Sequence, residues 1–317
     1  MKKIVLLAAS VLCLTAAANA QEAASFLDVT GDTRSAAMGE ISTAMEASAF
    51  SIFDNAAAAP LSSKKFQVGA YYSPWAKELT KGLDKNNSLL GVGLYYTIGE
   101  KHSILAGVRY MSMPESAGYD DQGNPTGASL KPSDMSIDLG YAIRATKNLG
   151  VSLTAHYISS KIDNDTKAGA VAFDLGLFYR LGLGKKSNLD LAFRAANFGT
   201  KLEFDGVGSN LPGKVSVGGV YSTMFGDVHS FKAGVDLGYK VMGDKFFTGG
   251  AGLEYMAFNT IAVRAGYHFS DNKAFNYATV GAGVRVIDML QADFAYLLGG
   301  DNCPLKGTYR VGLSVRF

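Results

Sequence analysis

Residues 134–144 read Asp-Met-Ser-Ile-Asp-Leu-Gly-Tyr-Ala-Ile-Arg, and the order of these residues decides the fold. In an extended chain Met135, Ile137, Leu139, Tyr141 and Ile143 fall on one face, and Asp134, Ser136, Asp138, Gly140 and Arg144 on the other. Alternation with a period of two is the mark of a β-strand with two different surroundings. The pattern recurs. Phe231, Ala233, Val235, Leu237, Tyr239 and Val241 oppose Lys232, Gly234, Asp236, Gly238 and Lys240, while Ile261, Val263, Ala265, Tyr267 and Phe269 oppose Arg264, Gly266 and His268. One face suits lipid and the other a polar lumen, which is the signature of a transmembrane barrel.

Working outward, strands are predicted near residues 65–72, 88–98, 103–113, 134–145, 149–160, 170–183, 189–197, 214–224, 228–241, 247–256, 260–269, 277–287, 290–297 and 308–317. About fourteen strands make an even number, as bacterial barrels require. The fold class is therefore all-β, an antiparallel up-and-down transmembrane barrel. Every second connection is short, and between them lie the long segments 73–87, 114–133 and 198–213. Short periplasmic turns and long external loops alternate in this way in outer-membrane barrels, so both termini are expected in the periplasm. Tyr309, Val311, Leu313, Val315 and Phe317 alternate to the last residue, and the chain stops on an aromatic. Such an ending resembles the signal that barrel-assembly machinery recognises.

Composition agrees. The 317 residues are 48% hydrophobic and only 18% charged, with net charge +2 and no basic block, which excludes a disordered chain and gives no footprint for nucleic acid. Lys2 and Lys3 precede an apolar run ending in Ala18-Asn19-Ala20, the pattern of a secretory signal peptide over residues 1–20. Lipidation at Cys13 is disfavoured by the large Leu12 before it, and cleavage leaves Cys303 without a partner. No other apolar run reaches the roughly 20 residues of a spanning helix.

Residues 21–63 differ in kind from the barrel at 64–317. They are Ala-rich and lack alternation; residues 35–47 are expected to form a short helix and 52–60 a turn-rich or helical piece. They read either as a periplasmic tail or as a plug for a lumen that something must fill. Here the sequence resembles a family. Phe26-Leu27, Arg34-Ser35-Ala36-Ala37-Met38-Gly39-Glu40, Thr43-Ala44 and Phe53-Asp54-Asn55-Ala56-Ala57 are similar to the N-terminal signature of the PorV/PorQ family, which belongs with the FadL-like fourteen-strand barrels. The likeness continues through Ala70-Tyr71-Tyr72-Ser73-Pro74-Trp75, Val108-Arg109-Tyr110-Met111-Ser112 and Ser136-Ile137-Asp138-Leu139-Gly140-Tyr141. It is strongest toward the PorV branch and covers about the first half of the mature chain. It implies a non-enzymatic component of type IX secretion that receives cargo by its C-terminal signal domain at the translocon and delivers it to a sortase-containing attachment complex. It also implies that the N-terminal segment, with Arg34, Met38, Gly39, Phe53 and Asn55 as motif residues, and the external loops meet partners. Two departures stand out: the family commonly has Asn-Pro-Ala where this chain has Asn55-Ala56-Ala57, and this chain is shorter.

Trp75, Leu79 and Leu83 in the first long segment and Tyr119 in the next are the candidate partner-binding residues; Trp75 suits headgroup anchoring equally well. Asp138, Arg144, Asp174, Arg180, Asp236, Arg264 and Arg285, with Asp190, Arg194, Asp293 and Arg310, point into the lumen and read as a paired network that fills it, or alternatively as a conduction path. The four histidines, at 102, 156, 229 and 268, are scattered, so neither a metal nor another cofactor is expected. No nucleophile elbow is present, so no catalytic residue and no enzyme is expected. Asp120-Asp121-Gln122-Gly123-Asn124 lacks the full spacing of a calcium loop and reads as a solvated turn. Tyr71, Tyr72, Tyr95, Tyr96, Tyr110, Tyr141, Tyr157, Tyr267 and Phe269 are expected in interfacial girdles.

Two functions follow. One is a barrel in contact with outer-membrane lipid that binds protein partners (translocon, attachment complex, cargo domains) in secretion. The other is a FadL-like passive transporter of hydrophobic small molecules, with an apolar pocket under its loops and a strand kink at Gly249, Gly250 and Gly252.

Overall fold

The computed structural model describes residues 22–80, 86–119, 122, 124–163, 166–243 and 245–317. The signal peptide expected at 1–20, Leu83, and Asp120, Asp121 and Gly123 of the acidic turn lie outside the described residues. Fourteen strands form one closed antiparallel barrel: β1 (Phe66–Trp75), β2 (Asn87–Ile98), β3 (His102–Ser112), β4 (Ser133–Arg144), β5 (Leu149–Lys161), β6 (Lys167–Gly182), β7 (Ser187–Gly199), β8 (Lys214–Phe225), β9 (His229–Lys240), β10 (Phe247–Ala257), β11 (Ile261–Ser270), β12 (Tyr277–Val286), β13 (Leu290–Gly299) and β14 (Tyr309–Arg316). Each pairs with the next, and β1 closes on β14 with Gln67 opposite Arg316 and Tyr72 opposite Val311.

The alternation places side chains as expected. Leu139 is 62% exposed on the outer wall, while its neighbour Asp138 is fully buried inside. Tyr72, Tyr96, Tyr110, Tyr141, Tyr157, Tyr267 and Phe269 face outward. Tyr71 and Tyr95 do not: both are buried in the lumen, because their parity along β1 and β2 points inward. Connections at one end of the barrel (99–101, 145–148, 183–186, 226–228, 258–260, 287–289) are turns, and those at the other end are longer. The longer end carries two small hairpins, Ser116–Tyr119 with Pro125–Leu130 and Leu202–Phe204 with Val207–Ser209.

Residues 22–63 run through the lumen. Their path begins at the loop-bearing end, where Ala23 N donates to Asn210 O (3.0 Å), and leaves at the short-turn end, where the Lys65 carbonyl accepts from Thr97 N (2.7 Å). Glu22 and Phe317 therefore lie at opposite ends of the barrel; the residues before Glu22, on which the expectation for the N-terminus falls, lie outside the described residues. The helix expected over 35–47 is a single turn, Thr33–Ala36, capped by Asp32. It stops because Gly39 and Glu40 both take left-handed backbone (φ 73° and 64°). A 3-10 turn, Ala56–Leu61, is capped by Asn55. Ala56 holds its first position, where a proline would also be at home.

The glycines of β10 make no kink, since its register with β9 and β11 is unbroken. Gly249 faces outward under the Phe269 ring, whereas a Cβ on Gly250 or Gly252 would overlap the Gly39 or Met38 carbonyl. Their absent side chains thus let the inner segment lie directly on the wall. Among the described strands the barrel register shifts at Phe173/Leu175 of β6 against β7, where Asn197 has φ 62°. Replacing Gly252 with Ala is expected to displace Met38 and cost ~1–3 kcal/mol by overpacking. Limited proteolysis of residues 22–63 should quicken while the barrel keeps its heat-dependent gel mobility; unchanged protection would refute the contact.

Candidate functional site

Inside the barrel, charges pair across the junction between inner segment and wall. Arg34 donates Nε and Nη2 to both oxygens of Glu254 on β10 (2.7 and 2.6 Å) and Nη1 to Glu46 (2.6 Å). Lys232 on β9 meets Glu46 at 2.6 Å, Arg264 on β11 donates Nε to Glu254 (2.6 Å), and its Nη1 donates to Asp293 on β13 (2.7 Å). Three cations and three carboxylates close a chain of bridges over four strands. Against the desolvation of its place in the barrel, Lys232 and Arg34 hold the Glu46 carboxyl well below its usual range.

Further along, the wall binds the inner backbone. Asp236 accepts from Ser42 N and Thr43 N (2.7 Å each), and Thr279 Oγ1 accepts from Gly39 N (2.9 Å) and donates to the Ala37 carbonyl (3.0 Å). Asn55 Nδ2 donates to Thr43 O (2.9 Å) and Leu177 O (3.2 Å). Two fully buried arginines reach carbonyls toward the loop-bearing end: Arg109 Nη1 to Leu27 O (3.1 Å) and Arg310 Nη1 to Thr30 O. Their guanidinium planes lie over Phe53 (4.8 Å) and Tyr71 (5.3 Å). Lys240 bonds Glu22 (2.6 Å) and Asp28 where the segment begins. Asp54 accepts from Gly31 N (3.1 Å), and burial reinforced by Asp32 pushes its carboxyl up to about 7.

The inward residues named from sequence separate into three sets. Asp174–Arg194 (2.5 Å) and Arg180–Asp190 (2.8 Å) pair within the wall. Asp236 holds the inner segment directly, whereas Arg264 pairs within the wall with Asp293 and Glu254, the carboxylate that also receives Arg34. Arg144 instead turns onto the Lys147 carbonyl (2.8 Å) in an exposed turn, and Arg285 has only a long contact to Gln291 (3.5 Å). His156 Nδ1 donates to Asp138 at 2.6 Å, and His156 Nε2 lies 3.0 Å from Asp174 outside hydrogen-bonding geometry. Sequence reading missed Glu254, Arg109 and Lys240 as anchors of the inner segment, and His156 as the wall partner of Asp138. Their inward parity was visible, but their partners sit up to 220 residues away.

Of the motif residues, Arg34 and Asn55 are anchors, Gly39 makes the turn against the wall, and Met38 and Phe53 are buried in apolar clusters. Trp75 ends β1 and packs on a cluster of Ala76, Tyr277, Leu297, Cys303 and Leu305, with the Arg310 guanidinium 5.9 Å from its ring. Leu79 lies on the 3-10 turn Lys77–Thr80 and Tyr119 ends a loop hairpin, so structure puts both at the loop-bearing end. A shallow apolar groove of about 860 Å³ lies on the outer wall over β7 to β11, between Leu191, Tyr221, Val235, Leu253 and Tyr267. It faces outward, so it is not a pocket beneath the loops.

The sequence pattern of the family described as "Type IX secretion system protein PorV" matches residues 16–245. No curated protein sequence matches the chain. Similar solved structures include the toluene transporter TbuX of Ralstonia pickettii (13% identity, 91% of this chain and 98% of that one, TM-score 0.60). The toluene transporter TodX of Pseudomonas putida (12%, 91% and 97%, 0.60) and a FadL homologue of Pseudomonas aeruginosa (11%, 91% and 98%, 0.52) are others. At these identities the likeness is one of fold: an outer-membrane barrel of the FadL-like type.

Changing Arg34 to Met leaves Glu254 and Glu46 short of a cation and is expected to cost ~3–5 kcal/mol in unfolding experiments in micelles. The further change Glu254→Gln should return part of that loss; additive losses would refute the coupling. Asp54 gives a pH dependence. Its folded pKa is raised above the unfolded value, so between about pH 4 and 7 the unfolded chain has lost a proton that the folded chain keeps. Stability should fall as pH rises through that window, by about 1.4 kcal/mol per unit, and Asp54→Asn should flatten the slope.

Proposed function

The chain belongs to the PorV family, and from that premise we propose that it is a non-enzymatic, partner-binding barrel of type IX protein secretion. The observation that supports this most is an inner segment anchored to the barrel wall. Residues 22–63 lie against the wall along the barrel's height, held by buried ion pairs and by strand glycines cut to their backbone. A barrel built this way serves as a rigid support, and its adaptable surface is the end bearing the long connections and two hairpins. In this reading that end faces the outside, the short turns and Phe317 face the periplasm, and the described chain starts on the outer side. The partners are then a translocon, cargo carrying C-terminal signal domains and a surface-attachment complex.

The second reading, a passive transporter of hydrophobic molecules, draws on the fold shared with the toluene transporters. It requires the inner segment to move, and so requires the Arg34–Glu254 and Asp236 anchors to yield.

Ser112 and Ser133 are paired neighbours on β3 and β4, so the connection 113–132 can be replaced by a short Gly-Ser turn without moving either strand. The shortened barrel is expected to assemble normally. Affinity capture of the intact protein from its own outer membrane in mild detergent, read by mass spectrometry, should recover a translocon barrel or cargo, and the shortened form should recover much less. Recovery of a solitary barrel carrying a hydrophobic molecule would favour the transporter.

A further inference from the structure

The charges at the short-turn end of the lumen do not balance in the way those deeper inside do. Glu46 sits within the barrel between Arg34 and Lys232, yet 42% of its side chain remains exposed, so solvent reaches it through this mouth. The carboxylates around it are committed: Glu46 to Arg34 and Lys232, Glu254 to Arg34 and Arg264, Asp293 to Arg264, and Asp190 to Arg180. Two further cations face the same space. Arg285, next to last on β12, points inward and donates one long bond to Gln291 Oε1 (3.5 Å), while its Nε is buried without a partner. Arg316, last on β14, points inward by parity and donates Nε to the Asp288 carbonyl (3.0 Å). Among the described residues neither guanidinium forms an ion pair with a carboxylate.

These two arginines flank the short-turn end of β13: Arg285 is the register partner of Gln291, and Arg316 N donates to the Met289 carbonyl (2.9 Å) just before β13 begins. Strands two apart are separated by roughly 10 Å, a span that two extended arginines bridge when a small group lies between them. Two like charges held in a half-enclosed place repel, and an anion between them offsets that repulsion while accepting from both forks. A tetrahedral dianion presents acceptors in several directions and matches two unpaired cations on separate strands better than one planar carboxylate.

We propose that Arg285 and Arg316 form a binding site for a phosphate-type oxyanion at the short-turn mouth of the barrel. The group comes either from free phosphate or from a phospholipid headgroup folded over the rim beside Phe317. The site lies apart from the loop-bearing end and does not depend on which secretion or transport role the loops serve.

The test uses the full-length mature protein in detergent. Inorganic phosphate is titrated by calorimetry at constant ionic strength with chloride as the reference anion, and bilayer nanodiscs of phosphatidylglycerol or phosphatidylcholine are followed by native mass spectrometry. Saturable phosphate binding is expected, weakened at least tenfold in R285Q and in R316Q and lost in the double variant, with R285K/R316K keeping part of it. If phosphate itself does not bind but phosphatidylglycerol is retained over phosphatidylcholine in a manner that the two Gln changes abolish, the headgroup is the source. Heat-dependent gel mobility checks that each variant is a folded barrel, and the single variants decide the matter should the double one not assemble. Absence of binding by both probes, or equal binding by wild type and the Gln variants, would overturn the proposal.

Discussion

The hydrocarbon layer offers no water to a free strand edge, and this constraint governs the rest of the molecule. It requires β1 to meet β14, which it does over six residue pairs. Closure of fourteen strands then encloses more space than the inward side chains of one wall can fill. The Ala-rich segment 22–63 lies in that space against the inner wall. Small residues occur on both sides of the contact, Gly39 against Gly250 and Gly266, Ala57 against Gly150, because backbone must approach backbone there.

An inner segment with charged groups must also be neutralised. Arg34 is bidentate to Glu254 and shares Glu46 with Lys232, so the charges that burial would penalise satisfy one another. Such a network contributes little net stability over an apolar filling, but it fixes where the segment lies, since a shift by one residue would leave several buried charges unpaired. The interior of this barrel is thus specified by electrostatics and its exterior by hydrophobic alternation. The two ends differ: long connections and hairpins at one, short turns and two arginines bonded to no carboxylate among the described residues at the other.

Much of this was legible. The fourteen strands coincide with the predicted segments to within a few residues, because a half-lipid, half-polar environment writes itself into the sequence with period two. The inward direction of Asp138, Asp174, Asp236 and Arg264 was readable for the same reason. Tyr71 and Tyr95 were misplaced where residue type was given more weight than parity: an aromatic near a strand end suggests the interface, but both point into the lumen. Gly250 and Gly252 suggested a kink, and only the chain lying on them shows that they make room.

By itself the sequence determined the architecture: strand number, the face each residue presents, the segregation of long and short connections, and membership of a family through the motif around Arg34 and Asn55. Only the tertiary structure decided the pairing of charges, the path of residues 22–63 from the loop-bearing end to the short-turn end, and the resulting separation of Glu22 from Phe317. The physical reason is range. Alternation is a local property that each strand satisfies alone, whereas Arg34 finds Glu254, and Glu22 finds Lys240, only after the barrel has closed around them.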